Sequence, residues 1–182
     1  QVVGFDDVAA ARDSLHERVA SNLEQFAAKG LFDRAQMESV LARLTVSDSL
    51  ADTVRQADFV TEAVREDLTT KQALFAELEA LVSKSTILAS NTSSYPMTEI
   101  SQRMQQPERA INTHWFNPPH IIPLVEIVPG QRTSPETTQT AFELLKHIGK
   151  QPVRLNQEVP GFLVNRVQVA MMREIWDLWE RG

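Results

Sequence analysis

Short apolar runs alternate with segments of helical period along most of this chain, and that alternation restricts the fold more than any other feature. Gln1-Val-Val-Gly-Phe5 is an apolar run that stops at Asp6-Asp7, and it reads as a buried strand with acids at its C-terminal end. From Val8 to about Lys29 the apolar residues Ala11, Leu15, Val19, Leu23 and Phe26 fall at helical spacing, with Gly30 as the stop. Residues 43–46 read as a second strand, Asp48 as the cap of a short helix, and residues 58–64 as a third strand. A helix opens at Glu66 and runs to about Val82 with Leu74, Leu78 and Leu81 along one face, its acidic first turn suiting the positive end of the helix dipole. Thr86-Ile-Leu-Ala-Ser90 is the next strand, followed by the polar Asn91-Thr-Ser-Ser94. Residues 110–115 and 124–128 are two more apolar runs, a helix at 135–147 ends at Gly149, and residues 152–155 form a last short strand. The pattern predicts an α/β domain with a mostly parallel sheet.

The segment after Pro160-Gly161 is different. A helix over residues 162–180 carries one apolar stripe at Val164, Val167, Met171, Ile175 and Leu178, and a second at Val169, Met172, Trp176 and Trp179. One buried side needs one stripe. Two predict burial between the sheet domain and either a second helical domain or a partner chain.

Composition narrows the class of function. At 182 residues the chain is long enough for one sizeable domain, or for one domain and part of another. No apolar run approaches the length of a membrane span and no charged-then-apolar leader opens the sequence. Cysteine is absent, which excludes disulfides and thiolate chemistry and fits a reducing cytoplasm. The net charge of -6 argues against general affinity for nucleic acid. No His/Asp/Glu spacing reads as a metal site, and there is no Gly-x-Ser-x-Gly elbow.

The sharpest chemical feature is Thr113-His-Trp-Phe-Asn-Pro-Pro-His-Ile-Ile-Pro-Leu-Val-Glu126. His114 sits in an apolar run where aliphatic residues are usual, and Glu126 lies inside the apolar run Leu124-Val-Glu-Ile-Val128. A carboxylate there is costly unless paired. A histidine is a natural partner, because the acid fixes its tautomer and makes it a general acid/base. The residues alone equally allow an isolated buried histidine and an edge-strand glutamate facing water. Other positions are less pointed. Asp6 reads as a helix cap or as an acceptor for a ribose diol, and Glu62, Glu66 and Lys71 read first as a solvated helix start. Asn91-Thr92-Ser93-Ser94 is either a turn or a polar rest for a cofactor ring or substrate oxygen, and His120 is a candidate substrate contact in a loop. His16 and His147 need no function.

Ala89-Ser-Asn-Thr-Ser-Ser94, Thr113-His-Trp-Phe-Asn-Pro118, Pro123-Leu-Val-Glu126, Gly149-Lys-Gln-Pro-Val153 and Pro160-Gly-Phe-Leu-Val-Asn-Arg166 occur here in an order and spacing that resembles the 3-hydroxyacyl-CoA dehydrogenase family over essentially the whole chain. The resemblance implies a Rossmann-type, doubly wound, mostly parallel sheet lacking its first strand over residues 1–158. It also implies the first helix of an all-helical, dimerising domain over residues 159–182, and hence a homodimer. It implies that His114 takes the proton of a substrate 3-hydroxyl while the adjacent carbon gives a hydride to NAD, and that Glu126 orients His114. By the same resemblance Ser93 and Asn165 hold the substrate oxygen and the histidine environment, Asp6 binds the adenosine ribose, and Glu66, Lys71, Ser93 and Asn117 line the nicotinamide side.

Two departures modify these expectations. The family's glycine-rich phosphate turn precedes what is here the opening strand, and Gly4 lies inside that strand, so the chain as written is expected to bind NAD weakly or not at all. A strand and glycine-rich turn upstream of Gln1 would supply the cradle. Pro123 stands where fatty-acyl enzymes commonly have lysine, and Pro118-Pro-His120 with Ile122-Pro-Leu-Val-Glu126 looks closer to relatives acting on carnitine or on sugar acids such as L-gulonate. The leading expectation is oxidation of a 3-hydroxyacyl-CoA. The alternatives are the same chemistry on a free hydroxy acid, or an inactive, crystallin-like structural relative.

Overall fold

The computed structural model describes residues 1–182, which divide into two compact units, Gln1–Ala57 and Asp58–Gly182. In the first unit β1 (Val2–Gly4) pairs in parallel with β2 (Leu44–Val46), and the helices are α1 (Ala9–Asp13), α2 (Leu15–Ala28), α3 (Met37–Leu41) and α4 (Leu50–Val54). The single helix expected over residues 8–29 is broken at Ser14, whose hydroxyl donates to the Ala11 carbonyl at 3.2 Å. A serine that bonds its own backbone competes with the helix ladder. Ser49, not Asp48, caps α4, accepting the Asp52 N–H at 3.2 Å. The opening strand is not buried as its apolar character suggested: Val2 is 62% exposed, because a two-stranded sheet leaves much of its surface open. Gly4 has a packing reason, since a Cβ there would meet the Leu15 side chain at 2.5 Å.

The second unit is built on a five-stranded sheet, in the order β3 (Phe59–Glu62), β4 (Ile87–Ser90), β5 (Ala110–Trp115), β6 (Leu124–Pro129) and β7 (Gln151–Arg154). Every pairing is parallel except β5 with β6. Its helices are α5 (Leu68–Leu81), α6 (Met97–Ile100), α7 (Pro135–His147) and α8 (Val164–Glu180). Asp67 caps α5 by accepting the Thr70 N–H at 2.8 Å, and Ser134 caps α7 with Pro135 in its first turn. Strand β3 ends two residues earlier than its apolar run, because the Glu62 carboxylate accepts the Val64 N–H at 2.6 Å and turns the chain. Strand β7 starts and ends one residue before the predicted 152–155.

Alternation along the strands gives the sheet two chemically distinct faces. Ile87, Ala89, Ile111, Val125 and Ile127 point to one side and pack with Ala141 and Leu145 of α7. Each of the Ile, Val and Leu side chains contributes about 1.5–3 kcal/mol on burial, so this dry face supplies a large share of the adhesion of the unit. The other face carries Glu62, Ser90, Asn112, His114 and Glu126, each at most 4% exposed. Their register is direct, Glu62 beside Ser90, Ser90 beside Asn112, and His114 beside Glu126.

Helix α8 begins at Val164 rather than at residue 162, because Gly161 and Phe162 both have positive φ, 75° and 50°. The two apolar stripes are present but, apart from the half-buried Val164 at the helix start, are not buried within this chain, ranging from 37% exposure at Met172 to 81% at Trp179. No helix is long and apolar enough to cross a membrane.

Candidate active site

The site grows from one cross-strand pair. His114 on β5 and Glu126 on β6 are register partners, and His114 Nδ1 lies 2.7 Å from Glu126 Oε2. Strand β6 is interior to the sheet, between β5 and β7, so Glu126 does not face water and is fully buried. Its second oxygen, Oε1, accepts the backbone N–H groups of Leu163 and Val164, each at 2.9 Å. Burial pushes the Glu126 carboxyl up. The hydrogen bonds from His114 and from the Val164 and Leu163 amides outweigh that effect and hold the acid below its ordinary value. An ionised Glu126 accepts at both oxygens, so Nδ1 carries a proton and Nε2 presents its lone pair. Phe116 and Phe162 wall the imidazole, with ring centroids 4.6 and 5.4 Å away.

Nε2 points at the turn after β4, where Ser93 Oγ lies 3.1 Å away. Ser93 and Ser94 are exposed, whereas Thr92 is buried. Asn91 ties this turn to β5 by accepting the Trp115 N–H at 2.9 Å. The structure therefore brings His114, Glu126 and Ser93 into one hydrogen-bonded row. Asn117 is exposed just beyond β5, next to the Phe116 ring, and Asn165 lies half-buried in the first turn of α8 with no hydrogen bond to the dyad.

Glu62 and Lys71 are not the solvated helix start that their residue types suggested, whereas Glu66 does remain exposed to solvent, its side chain 38% accessible. Lys71 is 1% exposed, and its ammonium lies 2.7 Å from Glu62 Oε1 and 3.2 Å from Glu66 Oε2. Glu66 Oε1 accepts from the Thr92 hydroxyl and from the Ser93 and Ser94 amides at 3.2 and 3.0 Å. Burial raises the Glu66 carboxyl, but the bonds from Thr92, Lys71 and Ser94 together keep it below its ordinary value. Sequence reasoning missed Glu62 and Ser90 as parts of this network. A partial signal existed, since Glu62, like Glu126, is an acid within an apolar strand run, but its partners come from other segments. It also missed Lys150, whose Nζ donates to the carbonyls of Pro119 and of Ile122 (3.0 Å) and holds the loop between β5 and β6; burial lowers the proton affinity of this amine.

In the first unit Asp6 stands exposed just past β1, with Oδ1 accepting the Val8 N–H at 2.9 Å and Oδ2 free of any hydrogen bond. It is thus a turn acid ahead of α1 and has an oxygen left for a ligand hydroxyl.

The profile of the 3-hydroxyacyl-CoA dehydrogenase NAD binding domain matches residues 1–159. This chain belongs to the 3-hydroxyacyl-CoA dehydrogenase family. Among its relatives is the 5-formyl-3-hydroxy-2-methylpyridine 4-carboxylate 5-dehydrogenase of Mesorhizobium japonicum, 36% identical over 182 residues, which are 100% of this chain and 58% of that protein. The L-carnitine dehydrogenase of Streptomyces griseus is 38% identical over 100% of this chain and 53% of its own length. The (S)-3-hydroxybutyryl-CoA dehydrogenase of Ralstonia eutropha superposes with a TM-score of 0.94 at 33% identity, over 100% of this chain and 64% of that one. The chain thus spans little more than half the length of the two curated relatives. The doubly wound architecture read from the sequence is that of the family.

Proposed function

We propose that the protein is an NAD-dependent oxidoreductase that oxidises the 3-hydroxyl of a 3-hydroxyacyl-CoA. The observation that carries this reading is the row Ser93 Oγ, His114 Nε2, His114 Nδ1 and Glu126 Oε2, with contacts of 3.1 and 2.7 Å. The residues present fit the cofactor. A carboxylate with an unused oxygen follows a parallel strand at Asp6, which suits a ribose diol. Exposed hydroxyls at Ser93 and Ser94 and the Asn117 amide stand at the C-terminal ends of β4 and β5, where a carboxamide ring needs polar partners; Glu66 and Lys71 shape that edge. When bound, NAD supplies the acceptor for the hydride leaving the carbinol carbon. His114 Nε2 accepts the hydroxyl proton, and Glu126 balances the resulting imidazolium through Nδ1–H. Ser93 hydrogen-bonds the reacting oxygen, and Asn165 supplies an amide to the same region. A positioned base of this kind is worth about a hundred- to ten-thousand-fold in rate.

A second reading, the same oxidation of carnitine or of a free sugar acid, is favoured by Pro123 and by the likeness to L-carnitine dehydrogenases. The exposed apolar side of α8 supports a helical domain that begins near residue 159 and buries this surface in a homodimer. Turnover of the full-length protein with NAD on 3-hydroxybutyryl-CoA, carnitine and gulonate, side by side, separates the substrates. Activity on a free acid with none on the thioester would overturn the first reading in favour of the second. His114→Ala that left turnover intact would overturn both and point to a structural relative.

A further inference from the structure

The residue that bonds the Ser93 turn, Glu66, is itself held by a deeper group. Glu62 lies at the end of β3, 4% exposed, and besides accepting the Val64 N–H its two oxygens engage Ser90 and Lys71, both of which lead toward the catalytic turn. Oε2 accepts the Ser90 hydroxyl at 2.5 Å, and Ser90 Oγ in turn accepts the Thr92 N–H at 3.2 Å. Oε1 accepts the Lys71 ammonium at 2.7 Å, and Lys71 reaches Glu66 Oε2 at 3.2 Å. Glu66 Oε1 then accepts the Ser93 and Ser94 amides. Two hydrogen-bonded routes therefore leave one carboxylate and converge on the turn that places Ser93 Oγ 3.1 Å from His114 Nε2.

We infer that Glu62 is a positioning residue for the reaction: through Ser90 on one side and Lys71–Glu66 on the other, it fixes the turn from which Ser93 meets the catalytic imidazole. A buried ammonium between two carboxylates is costly to assemble and is a weak source of net stability. Its geometric consequence is strong, because a lysine shared by two acids on different segments locks those segments together. A hydrophobic filler at these positions would pack as well without orienting any amide. The inference rests on the proposed acid/base role of His114 and Ser93, and its test is chosen to fail separately from that role.

The chain is labelled with nitrogen-15 histidine, and His114 is assigned among the four histidines by His114→Gln. Ser93→Ala removes the hydroxyl at Nε2 and moves the Nε2 resonance. Glu62→Gln and Ser90→Ala are expected to move it in the same direction, and neither should add to Ser93→Ala when combined with it. In turnover by the full-length protein, both lower kcat by about tenfold to a hundredfold with KM nearly unchanged, the scale expected when a reacting group is misplaced by about 1 Å. If Ser93→Ala moves the signal while Glu62→Gln and Ser90→Ala leave it in place, the positioning role is overturned and the acid/base reading stands. If Ser93→Ala itself moves nothing, the acid/base reading falls first. Should Glu62→Gln fail to fold, Ser90→Ala decides alone, since it cuts one route and leaves the buried charges paired.

Discussion

His114 and Glu126 are direct Cα partners in the one antiparallel pairing of the five-stranded sheet, and their side chains meet at 2.7 Å. Residues opposite one another across such a pair share a face and stand about 5 Å apart at Cβ. The dyad is therefore set by backbone pairing and not by the reach of flexible side chains. With Glu126 also held by two amides from the start of α8, the imidazole is oriented before any ligand arrives.

Glu126→Gln should abolish most activity while leaving the fold intact. The amide oxygen can still accept from Leu163 and Val164, but its NH2 group then faces Nδ1. That favours the tautomer with the proton on Nε2, which cannot take a proton from substrate. A fall in kcat of about a hundred- to ten-thousand-fold is expected, with an unchanged circular dichroism spectrum. Activity within a few-fold of wild type would remove Glu126 from the mechanism.

Stability should fall in acid. Glu126 and Glu66 both titrate below their ordinary value in the folded chain. Their stabilisation is complete above the unfolded carboxyl value of about 4.3, where both states are ionised, and is lost as pH drops through the lower folded values. Urea midpoints measured between about pH 6 and pH 3 should decline most steeply below about 4.3, and Glu126→Gln should flatten the decline.

Gly161→Ala should weaken the carboxylate anchor. Gly161 has φ of +75°, and an added Cβ would meet the Arg166 N at 3.3 Å. Strain of this kind costs about 1–3 kcal/mol and moves the Leu163 and Val164 amides off Glu126. A lowered thermal midpoint together with reduced kcat checks it; a loss of neither would mean the turn is not what orients the acid.

Leu145→Ala separates adhesion from chemistry. Leu145 is 1% exposed on the dry face, so truncation costs about 2–5 kcal/mol of stability through the lost contacts and the cavity. The kcat per folded molecule should stay at the wild-type value, because nothing on that face touches His114. Chemical denaturation alongside active-site-normalised turnover reads both quantities.

Much of this was legible in the residues. Strand and helix alternation gave the α/β layers, and an acid inside Leu124-Val-Glu-Ile-Val128 demanded a partner, which proved to be His114. What was not legible depended on three-dimensional neighbours. Glu62 and Lys71 are polar residues at a helix start by sequence, and only the packing of α5 on the sheet shows that they are sealed from water. The break at Ser14 and the late start of α8 follow from local side-chain bonding and positive φ values that apolar periodicity does not report. The exposure of α8 could not be read either, since an apolar stripe states what a helix can bury and not whether this chain buries it.

The loop over residues 116–123 leaves the sheet beside His114 and rejoins it just before Glu126, anchored by the Lys150 ammonium on its carbonyls. Both ends are fixed by strand pairing, so its length and side chains can change without moving His114 or Glu126. Loop closure entropy grows only slowly with length, and lengthening it would cost little. Under the proposed oxidation, substrate range and proton transfer can thus diverge independently: an enlarged or shortened loop would admit a different alcohol to the same histidine.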